Sequence, residues 1–124
     1  PRLDIWRKNL ALGMTTWGED SKVETTRSDC HAWGASPNVE YYRTVLGIDS
    51  DAPGFQTIRI EPHLGTLTQA SGSMPHPNGL VTASYQKKGK KWLVSIDIPA
   101  GTKAYLIWKG QQKDLKEGQN KFVF

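Results

Sequence analysis

At 124 residues the chain is one ordinary domain or two small pieces, long enough to bury about two-thirds of its unfolded surface. Hydrophobic residues make up 37% and charged residues 23%, which excludes collagen-like or strongly disordered composition, and no run of 18 apolar residues offers a transmembrane helix. The net charge of +4 is uneven: residues 1–55 carry −2 and residues 56–124 carry +6.

The start, Pro1-Arg-Leu-Asp, has neither a basic n-region nor an apolar h-region, and a chain opening on Pro1 reads as a processed, excised or recombinant piece. Leu3, Trp6 and Leu10 recur at helical spacing, with Ile5 and Leu12 widening the apolar face. A helix is expected over 2–12, stopped by Gly13, with Asp4, Arg7, Lys8 and Asn9 turned to solvent or a neighbour. Residues 18–27 show no sustained apolar period and read as a loop, and a loop of that length inside a compact domain is usually functional or disordered. Ser28 or Asp29 is placed to cap a second helix, with Cys30, Ala32 and Trp33 as its packing face. Pro37 interrupts or restarts that helix, and Val39, Tyr42, Val45 and Leu46 continue it to Gly47. The lone Cys30 reads as a small buried hydrophobe, since it has no intrachain partner for a disulfide and no metal-binding company.

From Ile48 the pattern changes. Asp49-Ser-Asp-Ala-Pro-Gly is turn composition, and short alternating runs follow: Phe55–Ile60, Leu67–Met74, Leu80–Gln86, Trp92–Ile98, Ala104–Trp108, Asp114–Leu115 and Lys121–Phe124. In the fourth run Trp92, Val94, Ile96 and Ile98 share one face. Runs of this length at about ten-residue spacing predict an antiparallel β-sandwich. Lys87, Lys88, Lys90 and Lys91 around Gly89 read as a solvated hairpin turn rather than a nucleic-acid surface, which would interleave aromatics or arginines. The expected class is therefore mixed and mainly β, two or three helices followed by a sandwich, with the junction near residue 50.

The densest chemistry lies in residues 14–37. Taken alone, Glu19 is a solvated loop carboxylate, Trp17 a core residue and His31 a histidine satisfied at a helix start. Arg27 is placed to pair with Asp29 or Glu19, and a cation beside a carboxylate favours its ionised form. His63 and His76 stand beside prolines without metal-ligand company, so no metal site is expected. Trp92 and Trp108, in alternating strands, read as core; exposure of either in a groove would favour sugar binding.

Several of these words occur together in a known family. Thr15-Thr-Trp-Gly-Glu19, Arg27-Ser-Asp-Cys-His-Ala-Trp33 with Ser36-Pro37, Val45-Leu-Gly-Ile48, Pro53-Gly-Phe55 and Ile60-Glu-Pro-His-Leu-Gly65, in that order, resemble the C-terminal end of bacterial α-L-rhamnosidases of glycoside hydrolase family 78. The resemblance implies that residues 1–50 are the last helices of an (α/α)6 catalytic barrel, incomplete here, and residues 51–124 the family's C-terminal β-sandwich. It implies inverting hydrolysis of terminal α-L-rhamnosyl groups without a cofactor, with Glu19 as general base and Trp17 and His31 against the substrate. The general acid belongs to an earlier motif that this chain lacks, so the isolated chain is expected to be inactive. The implied partners are rhamnose-containing glycans or glycosides and the remainder of the barrel, with no nucleic acid and no membrane insertion. The sequence leaves the compartment open, with a periplasmic or extracellular location slightly favoured over a cytoplasmic one for a bacterial glycan-degrading enzyme. The alternative is a non-catalytic carbohydrate-binding or structural sandwich. On the fragment reading the apolar faces of the first fifty residues are left to be covered by the sandwich or by a second copy in a homo-oligomer, or remain incompletely ordered.

Overall fold

The structure, a computed structural model, describes residues 3–20 and 22–124. The chain divides into two compact units, Pro1–Val39 and Glu40–Phe124.

In the first unit, helix α1 spans Asp4–Ala11. Its expected start at Arg2 lies outside the described residues. The helix ends where expected: Leu12 and Gly13 donate to the carbonyls of Lys8 and Leu10, and Gly13 takes φ +71°. Its apolar residues are another matter, for Leu3, Ile5, Leu10 and Leu12 are exposed, Leu10 by 63%, while Asn9, assigned to a polar face, is only 1% exposed. Among the described residues Val23 and Pro37 are the buried apolar side chains of this unit. Residues 14–20 and 22–31 form no regular element.

The second helical segment starts later than its sequence suggests. A 3-10 turn covers Ala32–Ala35, helix α2 Ser36–Glu40, and a π-turn Tyr41–Val45. His31, in extended conformation, holds the N-cap position without a side-chain cap bond, so neither Ser28 nor Asp29 caps the segment. Cys30 and Trp33, expected to be buried, are exposed.

In the second unit the predicted alternation becomes two four-stranded sheets. Strands β1 (Ile48–Ser50), β2 (Thr57–Ile60), β6 (Lys103–Trp108) and β7 (Gln111–Leu115) form one. Strands β3 (Gln69–His76), β4 (Gly79–Lys88), β5 (Lys91–Ile98) and β8 (Gly118–Val123) form the other. All neighbours are antiparallel except β2 and β6, whose parallel pairing sets Ile58 beside Ala104 and Ile60 beside Leu106. That pairing is reached because the chain leaves for the second sheet between the two strands, a crossover that parallel neighbours require. Strand β1 was read as turn. Three residues with one apolar side chain show no alternation, and the strand exists through its pairing with β2, Ile48 opposite Ile60.

The core lies between the sheets. Ile58, Ile60, Leu106 and Trp108 of one meet Val81, Ala83, Tyr85, Val94, Ile96 and Ile98 of the other, and every one is buried. Trp92 shares the inward face of β5 as its spacing predicts, half-buried at the margin. The Tyr85 hydroxyl donates to the Leu46 carbonyl at 2.8 Å, fixing the end of the π-turn to β4, and burial pushes the phenol well above its ordinary pKa. Gly47 is required here: at φ +75° a β-carbon would lie 2.2 Å from the Glu61 carbonyl carbon. No helix among the described residues is long and apolar enough to cross a membrane.

Candidate functional site

Residues 17–19 and 28–31 run past one another in opposite directions. The His31 N–H donates to the Trp17 carbonyl and the Glu19 N–H to the Ser28 carbonyl, both at 2.9 Å. This short ladder replaces the missing regular structure and aligns Glu19 with His31. Thr16 Oγ1 donates to the Asp29 carbonyl just outside it, so Asp29 serves the loop through its backbone.

The approach of residues 32–35 to this ladder depends on Gly34. A β-carbon there would lie 2.7 Å from the Gly18 carbonyl oxygen and 2.9 Å from Trp17 Cβ, distances a side chain does not tolerate. The Gly34 carbonyl in turn accepts the Trp6 indole N–H at 2.8 Å, tying α1 to the loop. Lys8 of α1 holds Glu24 at 2.9 Å, and that hydrogen bond lowers the Glu24 carboxyl pKa. Asn9, buried beneath, leaves its Oδ1 without a hydrogen-bond partner among the described residues.

Glu19 stands at the centre, its side chain 16% exposed. Oε1 accepts from Arg27 Nη2 at 2.5 Å, and Oε2 lies 3.9 Å from His31 Nδ1. The hydrogen bond from Arg27, then the carboxylate's charge, raises the guanidinium pKa. Of the two partners foreseen for Arg27, the structure selects Glu19. Trp33 donates its indole N–H to the Glu19 carbonyl at 2.8 Å and sets its ring 4.0 Å from the His31 imidazole, tilted by 45°. Trp33 had been assigned to the core, yet 61% of it is exposed. It walls the Glu19–His31 pair, a role that its indole N–H signals, since that donor needs a partner wherever it lies.

Trp17 is half-buried and joins the group through its backbone carbonyl and its contact with Gly34. Among the described residues its indole forms no ring pair with His31 or Trp33. Glu19 and His31 are thus brought together, with Arg27 and Trp33 as neighbours that the sequence did not single out as site residues. A carboxylate held between a guanidinium and an imidazole, beside an open indole face, is equipped to accept a proton from water and to face an apolar ring. Among the described residues no group of three His, Cys, Asp or Glu side chains gathers to hold a metal.

Comparison with known proteins gives a consistent result. The family model described as bacterial alpha-L-rhamnosidase C-terminal domain matches residues 47–122. The structure resembles that of the α-L-rhamnosidase from Aspergillus terreus, with a TM-score of 0.78 at 20% identity, covering 95% of this chain and 15% of that one. It resembles the α-L-rhamnosidase from Dictyoglumus thermophilum, TM-score 0.78 and 20% identity, over 94% of this chain and 17% of that one. A third likeness is to the Streptomyces avermitilis α-L-rhamnosidase complexed with L-rhamnose, TM-score 0.80 and 17% identity, over 96% of this chain and 14% of that one. The chain therefore spans less than a fifth of the length of these structures. No curated protein matches it.

Proposed function

The chain belongs to the bacterial α-L-rhamnosidase C-terminal domain family, and from that premise we propose that it is the C-terminal portion of an inverting glycoside hydrolase acting on terminal α-L-rhamnosyl groups. On this reading residues 1–50 close an (α/α)6 barrel whose earlier helices lie upstream, and residues 51–124 are the sandwich that follows it. The exposed apolar side chains of α1 support the reading, because a helix evolved inside a barrel keeps an apolar face for neighbours that this chain does not contain.

The single observation that carries the chemistry is the Glu19 carboxylate, mostly withdrawn from solvent and held between Arg27 and His31. Inversion needs a base on one side of the sugar ring and an acid on the other, separated by roughly 6.5–9.5 Å to admit a water. Glu19 is the base, taking the proton of that water as its oxygen attacks the anomeric carbon and the glycosidic bond breaks. Upstream residues supply the acid that protonates the leaving oxygen. His31 is placed to hydrogen-bond a sugar hydroxyl. Trp17 lines the substrate through its position in the ladder, and the Trp33 ring lies alongside. The rhamnose in the Streptomyces avermitilis complex supports the choice of sugar.

The test uses the chain and its parent together. An aryl α-L-rhamnoside should be untouched by the purified 124-residue chain and cleaved by the parent with inversion. In the parent, Glu19→Gln should lower kcat by about 10²–10⁴, the usual worth of a positioned base. Hydrolysis by the isolated chain, or a parent indifferent to that substitution, would refute the assignment.

A further inference from the structure

One end of the sandwich has features that rhamnoside hydrolysis does not use. A cavity of about 200 Å3 opens there, lined by Pro62, Leu64, Gly65, Trp92, Trp108 and Lys109. It is smaller than the roughly 300–1,000 Å3 of a drug-sized pocket and suits a single ring. Its aromatic wall is extensive: the Trp92 and Trp108 rings meet edge to face at 5.9 Å, and Phe124 stacks on Trp108 at 4.7 Å. Trp108 is 93% buried, and its indole Nε1 has no hydrogen-bond partner among the described residues.

The hairpin ends that hold Trp92 and Trp108 carry charge of one sign. Residues 86–92 and 108–113, which form the β4–β5 and β6–β7 hairpin ends, contain six lysines and no Asp or Glu. Lys113 places its ammonium 5.9 Å from the centre of the Phe124 ring. Lys109 borders the cavity itself and takes φ +49° beside Gly110 at φ +80° in a two-residue turn between Trp108 and Gln111. Such a turn favours Asn-Gly, because Asn enters the left-handed region more readily than Lys does. Lysine is thus the less stable choice at this position, as befits a residue present for its charge.

We propose that this cavity binds a sugar acid, one uronate ring of a polysaccharide, with its apolar face against the accessible part of Trp92 and its carboxylate toward Lys109. The half-buried Trp92 ring, backed by Trp108, provides the apolar contact of one pyranose, and the Lys109 ammonium provides a charge-assisted bond to the carboxylate. A single-stranded nucleic acid needs several open aromatic faces in a row, whereas here Trp108 is buried and Trp92 half-buried. That the ligand is a saccharide rests on the proposed glycosidase reading; that it is an anion rests on the lysines and the cavity.

Titration of the 124-residue chain with tri-galacturonate, followed by tryptophan fluorescence and calorimetry at low salt, tests this. Saturable binding at least about tenfold tighter than that of maltotriose is expected, the margin of one charge-assisted contact. Lys109→Asn should weaken it by about tenfold while raising the melting temperature, which separates lost binding from lost folding. Absence of saturation, equal affinity for maltotriose, tighter binding of oligo-dT, or a Lys109→Asn variant that binds as the parent sequence does would each overturn the proposal. The titration is blind to rhamnoside hydrolysis, so the two readings fail separately.

Discussion

Glu19, Arg27 and His31 meet because two extended strands of loop exchange backbone hydrogen bonds, and Gly34 is the residue that lets the next turn close over them. Gly34→Ala should therefore destabilise the first unit by about 1–3 kcal/mol, an overpacking cost, read from Trp33 and Trp6 fluorescence in a urea series. Tyr85 makes a different prediction. Its folded-state pKa is raised by burial, so the folded chain keeps a proton that the unfolded chain loses once pH passes its ordinary value near 10. The contribution of Tyr85 is thus complete below that pH and is lost as pH rises above it. Melting temperature should fall steeply above about pH 10, and Tyr85→Phe, which also removes the bond to Leu46, should flatten that fall.

Among the elements, the β6–β7 hairpin is the clearest case of a local conflict. Both of its turn residues have positive φ, and only Gly110 suits it. Lys109→Asn should raise stability by about 1 kcal/mol, the order of the left-handed penalty for a residue with a long side chain, measured by thermal denaturation. The helical segment 32–45 passes through 3-10, α and π geometry in fourteen residues. Its apolar spacing was visible in the sequence, whereas its start was not: a polar residue before an apolar run resembles a cap whether or not its side chain finds the first turn. Strand β1 escaped notice for the opposite reason, having too few residues to show a period.

Across the whole chain the two units differ in what they bury. The second has a continuous core from both sheets, and among the described residues the first buries Val23, Pro37 and Asn9. Hydrogen exchange should accordingly show strong protection of amides in β4, β5 and β6 and early exchange through residues 4–35, because opening costs scale with buried apolar contact. Leu106→Ala, at the centre of the core, should cost about 2–5 kcal/mol in a denaturant titration. Uniform protection across both units would contradict this division.

Periodicity and turn residues were enough to foresee seven of the eight strands, the inward row Trp92, Val94, Ile96 and Ile98, and the stops at Gly13 and Gly47, because alternation and positive φ are properties of the local chain. The family words placed Glu19, Trp17 and His31 in one neighbourhood. Tertiary structure alone decided that Arg27 serves Glu19, that Trp33 is an open wall on His31, and that β2 and β6 lie parallel. Each of those depends on segments far apart in sequence meeting in space, and local patterning has no term for which distant partner a donor, a ring or a strand edge will find.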